Sequence, residues 1–181
     1  MTFLSEFEDL TSRELIERLS TRIYEPAFCK ARDQIFAVPS SLRVVILVLD
    51  FDTEVNMQGM LGFLENSTGR YISETIESFH QIGAHATAKV LQNIHGILET
   101  HGISTSQLRS DFDRTTLYQV TSFNELHGDL GSLPKEVERE SQRLYVYAES
   151  GCSEDVWSLL DSFVDANRPG ILAELARVSD A

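Results

Sequence analysis

The chain has 181 residues, 42% of them hydrophobic and 24% charged, and its 15 Lys and Arg against 28 Asp and Glu give a formal net charge of −13. That length and apolar content suit one domain with a single sizeable core and exclude a disordered or fibrous chain. The longest unbroken apolar run, Val44 to Leu49, is far shorter than the roughly 20 residues that cross a bilayer. The acidic start, with Glu6, Glu8 and Asp9, lacks the basic and apolar regions of a secretory signal. Cys29 and Cys152 lie too far apart in sequence to form a metal motif. A soluble, reduced, cytoplasmic domain without a membrane segment is expected. The acidic excess is spread along the chain. It repels phosphate backbones, so no direct contact with nucleic acid is expected, and it attracts basic surfaces, including those of nucleic-acid-binding proteins.

Helical spacing begins at Thr11, where Glu14 completes a capping box and Leu15, Ile16, Leu19 and Ile23 recur until Pro26. Residues 27–37 suit a further short helix before Pro39. Ser40 and Ser41 offer the next N-cap, ahead of a Gly- and Pro-free stretch from Leu42 to Val55. Its β-branched centre could pass for a buried strand, but its length is that of a helix, and a buried helix is assigned. After Gly69, one face carries Tyr71, Ile72, Thr75, Ile76, Phe79 and Ile82, with Glu74 and Glu77 opposite and Gly83 as the stop. Val90, Leu91, Ile94, Ile97 and Leu98 mark another helix, closed by Gly102. Residues 103–132 have no dominant pattern, and Thr115 to Phe123 suits strand, helix or loop equally.

Pro134 is predicted to open a helix that carries Leu144, Tyr145 and Tyr147. Ser153 is the predicted cap of a helix running through Asn167, and Pro169 the predicted start of a short terminal one. The expected fold is all-α, a single compact multi-helix domain with an acidic surface, spanning 1–181 in six to nine helices. Its parts are N-terminal helices in 1–38, a helical block in 39–102, a weakly patterned connection in 103–132 and C-terminal helices in 133–181.

Chemistry-bearing residues are few. His80, His85, His95 and His101 do not follow the three- or four-residue spacing that sets two imidazoles on one helix face, so surface or capping roles are assigned and no metal. No cofactor fingerprint or nucleophile elbow occurs. Cys29 is read as a small buried apolar residue. Asp50 and Glu54, one turn apart with Asp52 between them, form a like-charge set that can raise a carboxyl pKa for acid–base work. A small hydrolase is therefore an alternative, although no catalytic residue is assigned.

The predicted 153–167 helix has Val156, Leu159, Leu160, Phe163 and Val164 on one face and Trp157 at its edge. Glu154, Asp161 and Asp165 fall within roughly 40° of one another on the other side. Carboxylates four positions apart have Cβ atoms about 5–6 Å apart, comparable to the spacing of phosphates along one nucleic-acid strand, which carries a charge every ~3.4 Å of helix axis. Glu74 with Glu77 and Glu136 with Glu140 are the next acidic faces.

The stretch from Glu54 to Gly69 resembles the signature of the bacterial DNA-mimic-protein family, also described as a domain of unknown function. Glu54, Val55, Asn56, Gly59, Phe63, Asn66, Ser67 and Gly69 match it, whereas Met57, Gln58, Gly62 and Leu64 depart. Glu77, Ile82-Gly83-Ala84 and Ala88 are similar to the family's next helix pair. Glu154-Asp155-Val156, Leu159-Leu160, Phe163-Val164 and Asn167-Arg168 are similar to its C-terminal helix. Asn56 and Asn66 read as helix-end caps and cross-turn bonds, and Gly59 and Gly69 as sites of close approach or positive φ. Glu54, Asn56, Gly59, Asn66, Ser67 and Gly69 thus form a structural motif with no catalytic requirement. The resemblance implies an all-α, non-enzymatic acidic protein whose carboxylates imitate DNA phosphates on the DNA-binding face of a basic regulatory protein. An immunity protein against a nuclease toxin is the alternative, and a homodimer is left open.

Overall fold

The computed structural model describes residues 7–115, 122–147, 151 and 153–179, in which there are nine α-helices, a short 3-10 turn and no strand. The all-α expectation holds. Helix α1 (Ser12–Arg22) starts with the capping box, the Thr11 N–H donating to Glu14 at 2.8 Å and the Glu14 N–H to the Thr11 hydroxyl at 3.3 Å. Helix α2 (Pro26–Ala37) has proline in its first turn, where the missing N–H costs nothing.

Helix α3 (Ser41–Glu65) is the centre of the molecule. The Ser40 hydroxyl caps it by accepting the Arg43 N–H at 3.1 Å. Every residue from Leu42 to Phe51 is buried, and a helix apolar all round belongs inside a domain. Helices α1, α2, α4, α6, α8 and α9 surround it. Gly59, at φ 73° and ψ −179°, is non-helical and divides α3 into two segments across a kink.

A 3-10 turn (Gly69–Tyr71) leads into α4 (Ile72–Ile82), which Gly83 closes in the left-handed conformation at φ 88°. Then come α5 (His85–Thr100), α6 (Thr105–Asp113), α7 (Phe123–His127), α8 (Leu133–Ser141) and α9 (Val156–Ser179). Phe51 meets Phe63 and Phe79 edge-on at 5.0 and 5.1 Å between ring centres, and Phe79 reaches Tyr145 at 6.3 Å. Among the described residues no single helix is long and apolar enough to cross a membrane.

Four local expectations are corrected. Helix α8 ends at Ser141, and Leu144, Tyr145 and Tyr147 lie in the turns after it, with the Leu144 N–H bonded to the Ser141 carbonyl at 2.9 Å. The cap of α9 is Asp155 rather than Ser153, since the Asp155 carboxylate accepts the Ser158 N–H at 3.0 Å. Pro169 lies inside α9. A mid-helix proline removes one backbone bond, but Val164, Ile171 and Leu175, on both sides of it, are all buried and hold the helix continuous. Cys29 is exposed, because Phe28 and Phe36 occupy the buried side of α2. Most of the ambiguous Thr115–Phe123 stretch, residues 116–121, and Cys152 lie outside the described residues.

Candidate protein-binding face

The three carboxylates assigned to one outward stripe do not form one. Glu154 precedes α9 and reaches the start of α5, accepting the Ala86 N–H at 2.6 Å and the Thr87 N–H at 2.8 Å. These are orphan donors of the first turn of α5, and the preceding residue, Ala84, has no side chain able to cap them. Asp161 lies 3.7 Å from the Arg13 guanidinium, and Asp165 accepts a hydrogen bond from the Ser12 hydroxyl. This side of α9 is thus turned toward the beginning of α1. The sequence pattern contained nothing about the α1 residues that meet Asp161 and Asp165, or about the start of α5 that Glu154 reaches.

The other acidic pairs are similarly engaged, to different degrees. Glu74 pairs with Arg43 at 3.3 Å, whereas exposed Glu77 accepts from Gln81 at 3.3 Å. Glu136 accepts from the Ser132 hydroxyl, which holds its carboxyl below the ordinary value, with His101 3.5 Å away. Glu140 takes hydrogen bonds from Asn93 of α5 at 2.8 Å and from Arg143 at 2.6 Å.

Asp50, Asp52 and Glu54 have separate partners. Asp50 is fully buried, forms an ion pair with Arg32 of α2, and accepts from the Tyr24 hydroxyl at 3.2 Å. Burial holds the Arg32 guanidinium below its ordinary pKa and pushes the Tyr24 phenol above its own. Glu54 is bonded by Gln58 at 3.3 Å. Asp52 accepts from the Tyr145 hydroxyl at 2.7 Å, across 93 positions of sequence. Burial pushes its carboxyl above the ordinary value, against the opposing hydrogen bonds from Tyr145 and Asn56.

Asp52 opens onto a concavity of about 530 Å³ whose walls include Tyr145, Glu154, Asp155 and Trp157. No basic side chain among the described residues lines it. Trp157, the chain's single tryptophan, is also a wall of a second hollow with Arg13, Glu17 and Asp161. An aromatic face beside several carboxylates suits a guanidinium or ammonium group. Sequence reasoning did not find this grouping, because its members come from α3, the segment after α8, and the start of α9.

The Glu54–Gly69 segment builds a tight turn. The Asn66 N–H closes α3 on the Gly62 carbonyl at 3.1 Å, its side-chain oxygen accepts the Ser67 N–H at 2.6 Å, and its carbonyl accepts the Gly69 N–H at 3.1 Å. A Cβ on Gly69 would collide with the Phe63 and Leu64 carbonyl oxygens. Asn56 is neither cap nor cross-turn bridge. It lies inside α3 and bonds back to the Asp52 carbonyl at 2.8 Å.

His80 and His85 face each other with Nδ1 atoms 3.2 Å apart, and the described residues contain no group of three or more potential metal ligands. His127, which the sequence did not single out, has a side chain only 1% exposed between Glu65 at 2.9 Å and Asp111 at 3.3 Å, and ties α7 to α3 and α6.

The family model of the DMP19-like proteins matches residues 37–167, most of the chain. The chain belongs to the DMP19-like protein family. The matched span of this DMP19-like chain includes the Asn66 turn and the whole Asp52–Trp157 concavity, and it agrees with the resemblance to DNA-mimic proteins. No curated protein and no solved structure matches the chain.

Proposed function

We propose that this DMP19-like chain is a non-enzymatic protein-binding domain that acts as a DNA mimic, covering the DNA-binding face of a basic regulatory protein. The family match carries this reading. A net charge of −13 supports it, because such a field attracts basic surfaces and repels nucleic acid. The Asp52–Trp157 concavity is the best place for a partner's basic side chain. It is lined by three carboxylates and by no basic side chain among the described residues, and its aromatic walls suit the stacking of a guanidinium. Hydrolysis by Asp50, Asp52 and Glu54 is disfavoured, since Asp50 is buried against Arg32 and the three carboxylates have different partners.

The test is capture of the partner at low salt, elution with a salt gradient, and competition with duplex DNA. Mimicry requires that affinity fall steeply with salt, since exposed charges are screened beyond about 10 Å at 0.1 M, and that DNA displace the protein. A partner that holds DNA and this protein together overturns mimicry. A captured nuclease in place of a regulator assigns the immunity role.

A further inference from the structure

One concavity of this acidic molecule has the opposite character. Arg70, Ser106, Arg109, Ser110, Asp113 and Arg114 surround a hollow of about 370 Å³. Three guanidinium groups and one carboxylate line it, with Asp111 behind Arg114, in a chain whose acids outnumber its bases by 28 to 15. Its construction follows from the local sequence. Helix α6 buries Thr105 and Leu108, which leaves Ser106, Arg109, Ser110 and Asp113 along one outer stripe at helical spacing. The tight Gly69 turn, packed on α6, presents Arg70 from the other side.

All three cations are arginines, whose planar forks donate two parallel hydrogen bonds to an oxyanion. Arg70 lies over the Tyr71 ring at 4.7 Å and Arg109 over the Phe112 ring at 5.1 Å, so aromatic faces help to orient both. Arg109 already grips an oxyanion in this way, with Nη2 at 2.6 Å and Nε at 3.2 Å from the two oxygens of Asp113. Arg114 is 72% exposed and 3.4 Å from Asp111. Two serine hydroxyls complete a set of donors suited to a tetrahedral anion.

We propose that Arg70, Arg109 and Arg114, with the Ser106 and Ser110 hydroxyls, bind the phosphate group of a small ligand, with Asp113 as the internal anion that the phosphate displaces. The site does not depend on the DNA-mimic reading. The ligand is small because the surrounding negative field repels a polyanion while a single phosphate enters the local positive hollow.

The experiment is a titration of the full chain with inorganic phosphate, with ADP, and with a short single-stranded DNA, followed by amide chemical shifts. Phosphate and ADP are expected to give saturable shifts centred on residues 70, 106, 109 and 110. Arg109→Gln and Arg70→Gln should each weaken binding about tenfold or more. Arg114→Gln, at an exposed position, should weaken it in the same direction. Asp113→Asn should tighten it by freeing the Arg109 fork, whereas Glu99→Gln, which removes the same charge elsewhere, and Lys89→Gln should leave it unchanged. Diffuse, non-saturating shifts, or arginine variants that bind as the parent does, overturn the site. Equal weakening by Lys89→Gln reduces it to bulk charge. Tighter binding of the DNA than of phosphate through these residues makes it a nucleic-acid contact and overturns the small-ligand assignment.

Discussion

Glu154 and Thr87 lie 67 positions apart in sequence, yet the Glu154 carboxylate accepts both the backbone N–H and the hydroxyl of Thr87 at 2.8 Å. An acidic group from the approach to α9 thus serves as the N-cap that α5 lacks. Its negative charge also sits at the positive end of that helix's dipole. Glu154→Ala should lower stability by about 0.5–2 kcal/mol, the range of a lost N-cap. Glu154→Lys should cost more, because it sets a cation against the same helix end. Thermal unfolding measures both, and a charge reversal at Glu154 reports on folding before it reports on any partner.

The Arg32–Asp50 pair sits where α2 meets the core helix. Asp50→Ala leaves a guanidinium with only 20% side-chain exposure beside an apolar helix, and loss of one member of a buried pair typically costs about 3–5 kcal/mol. The double change Arg32→Met with Asp50→Leu should recover most of that loss. Urea denaturation of the two singles and the double decides the matter. Additive losses would mean that the pair does not act as a unit.

In the signature turn, Gly69→Ala should be the most damaging substitution, since the new Cβ meets rigid backbone oxygens. Gly59→Ala faces open space but must hold φ 73° with ψ −179°, a region that is essentially Gly-only and costs of order 1–3 kcal/mol. Asn66→Ala removes the side-chain acceptor of the Ser67 N–H, worth about 0.5–1.5 kcal/mol. The expected order of melting temperatures is Asn66→Ala above Gly69→Ala, with helical content kept in both.

Asp52 has its carboxyl raised above the ordinary value by burial. The folded state therefore holds this proton more tightly than the unfolded state, and stability falls as pH rises from the ordinary carboxylate value through the raised one. Asp52→Asn should be more stable than the parent at neutral pH, with the difference closing as pH falls through that window. A basic side chain in the concavity favours the ionised carboxylate, so partner binding should strengthen as pH rises through the same window and should release a proton. Denaturation series and calorimetry in buffers of different ionisation enthalpy measure these two effects.

Much of the fold was legible in sequence because it is decided within a few residues. The Thr11–Glu14 box, the Ser40 cap and the Gly83 stop are contacts made inside one turn. The β-branched run at Val44–Leu49 yielded to a length argument that the buried helix α3 satisfies. The candidate site was far less legible. Tyr145 reaching Asp52, Glu154 capping α5, and His127 between Glu65 and Asp111 join residues from 16 to 93 positions apart. Helical periodicity places each of these side chains on a face but does not contain which other helix that face will meet. The same holds for α9, where the local rule at Pro169 was overruled by burial on both sides. By itself the sequence determined several helix caps and stops, which faces are apolar and the sign of the net charge, since these follow from composition and short-range bonding. Only the tertiary structure decided which carboxylates are used internally and which line an open concavity, because packing chooses the partners of a charge and burial sets how strongly each pair interacts.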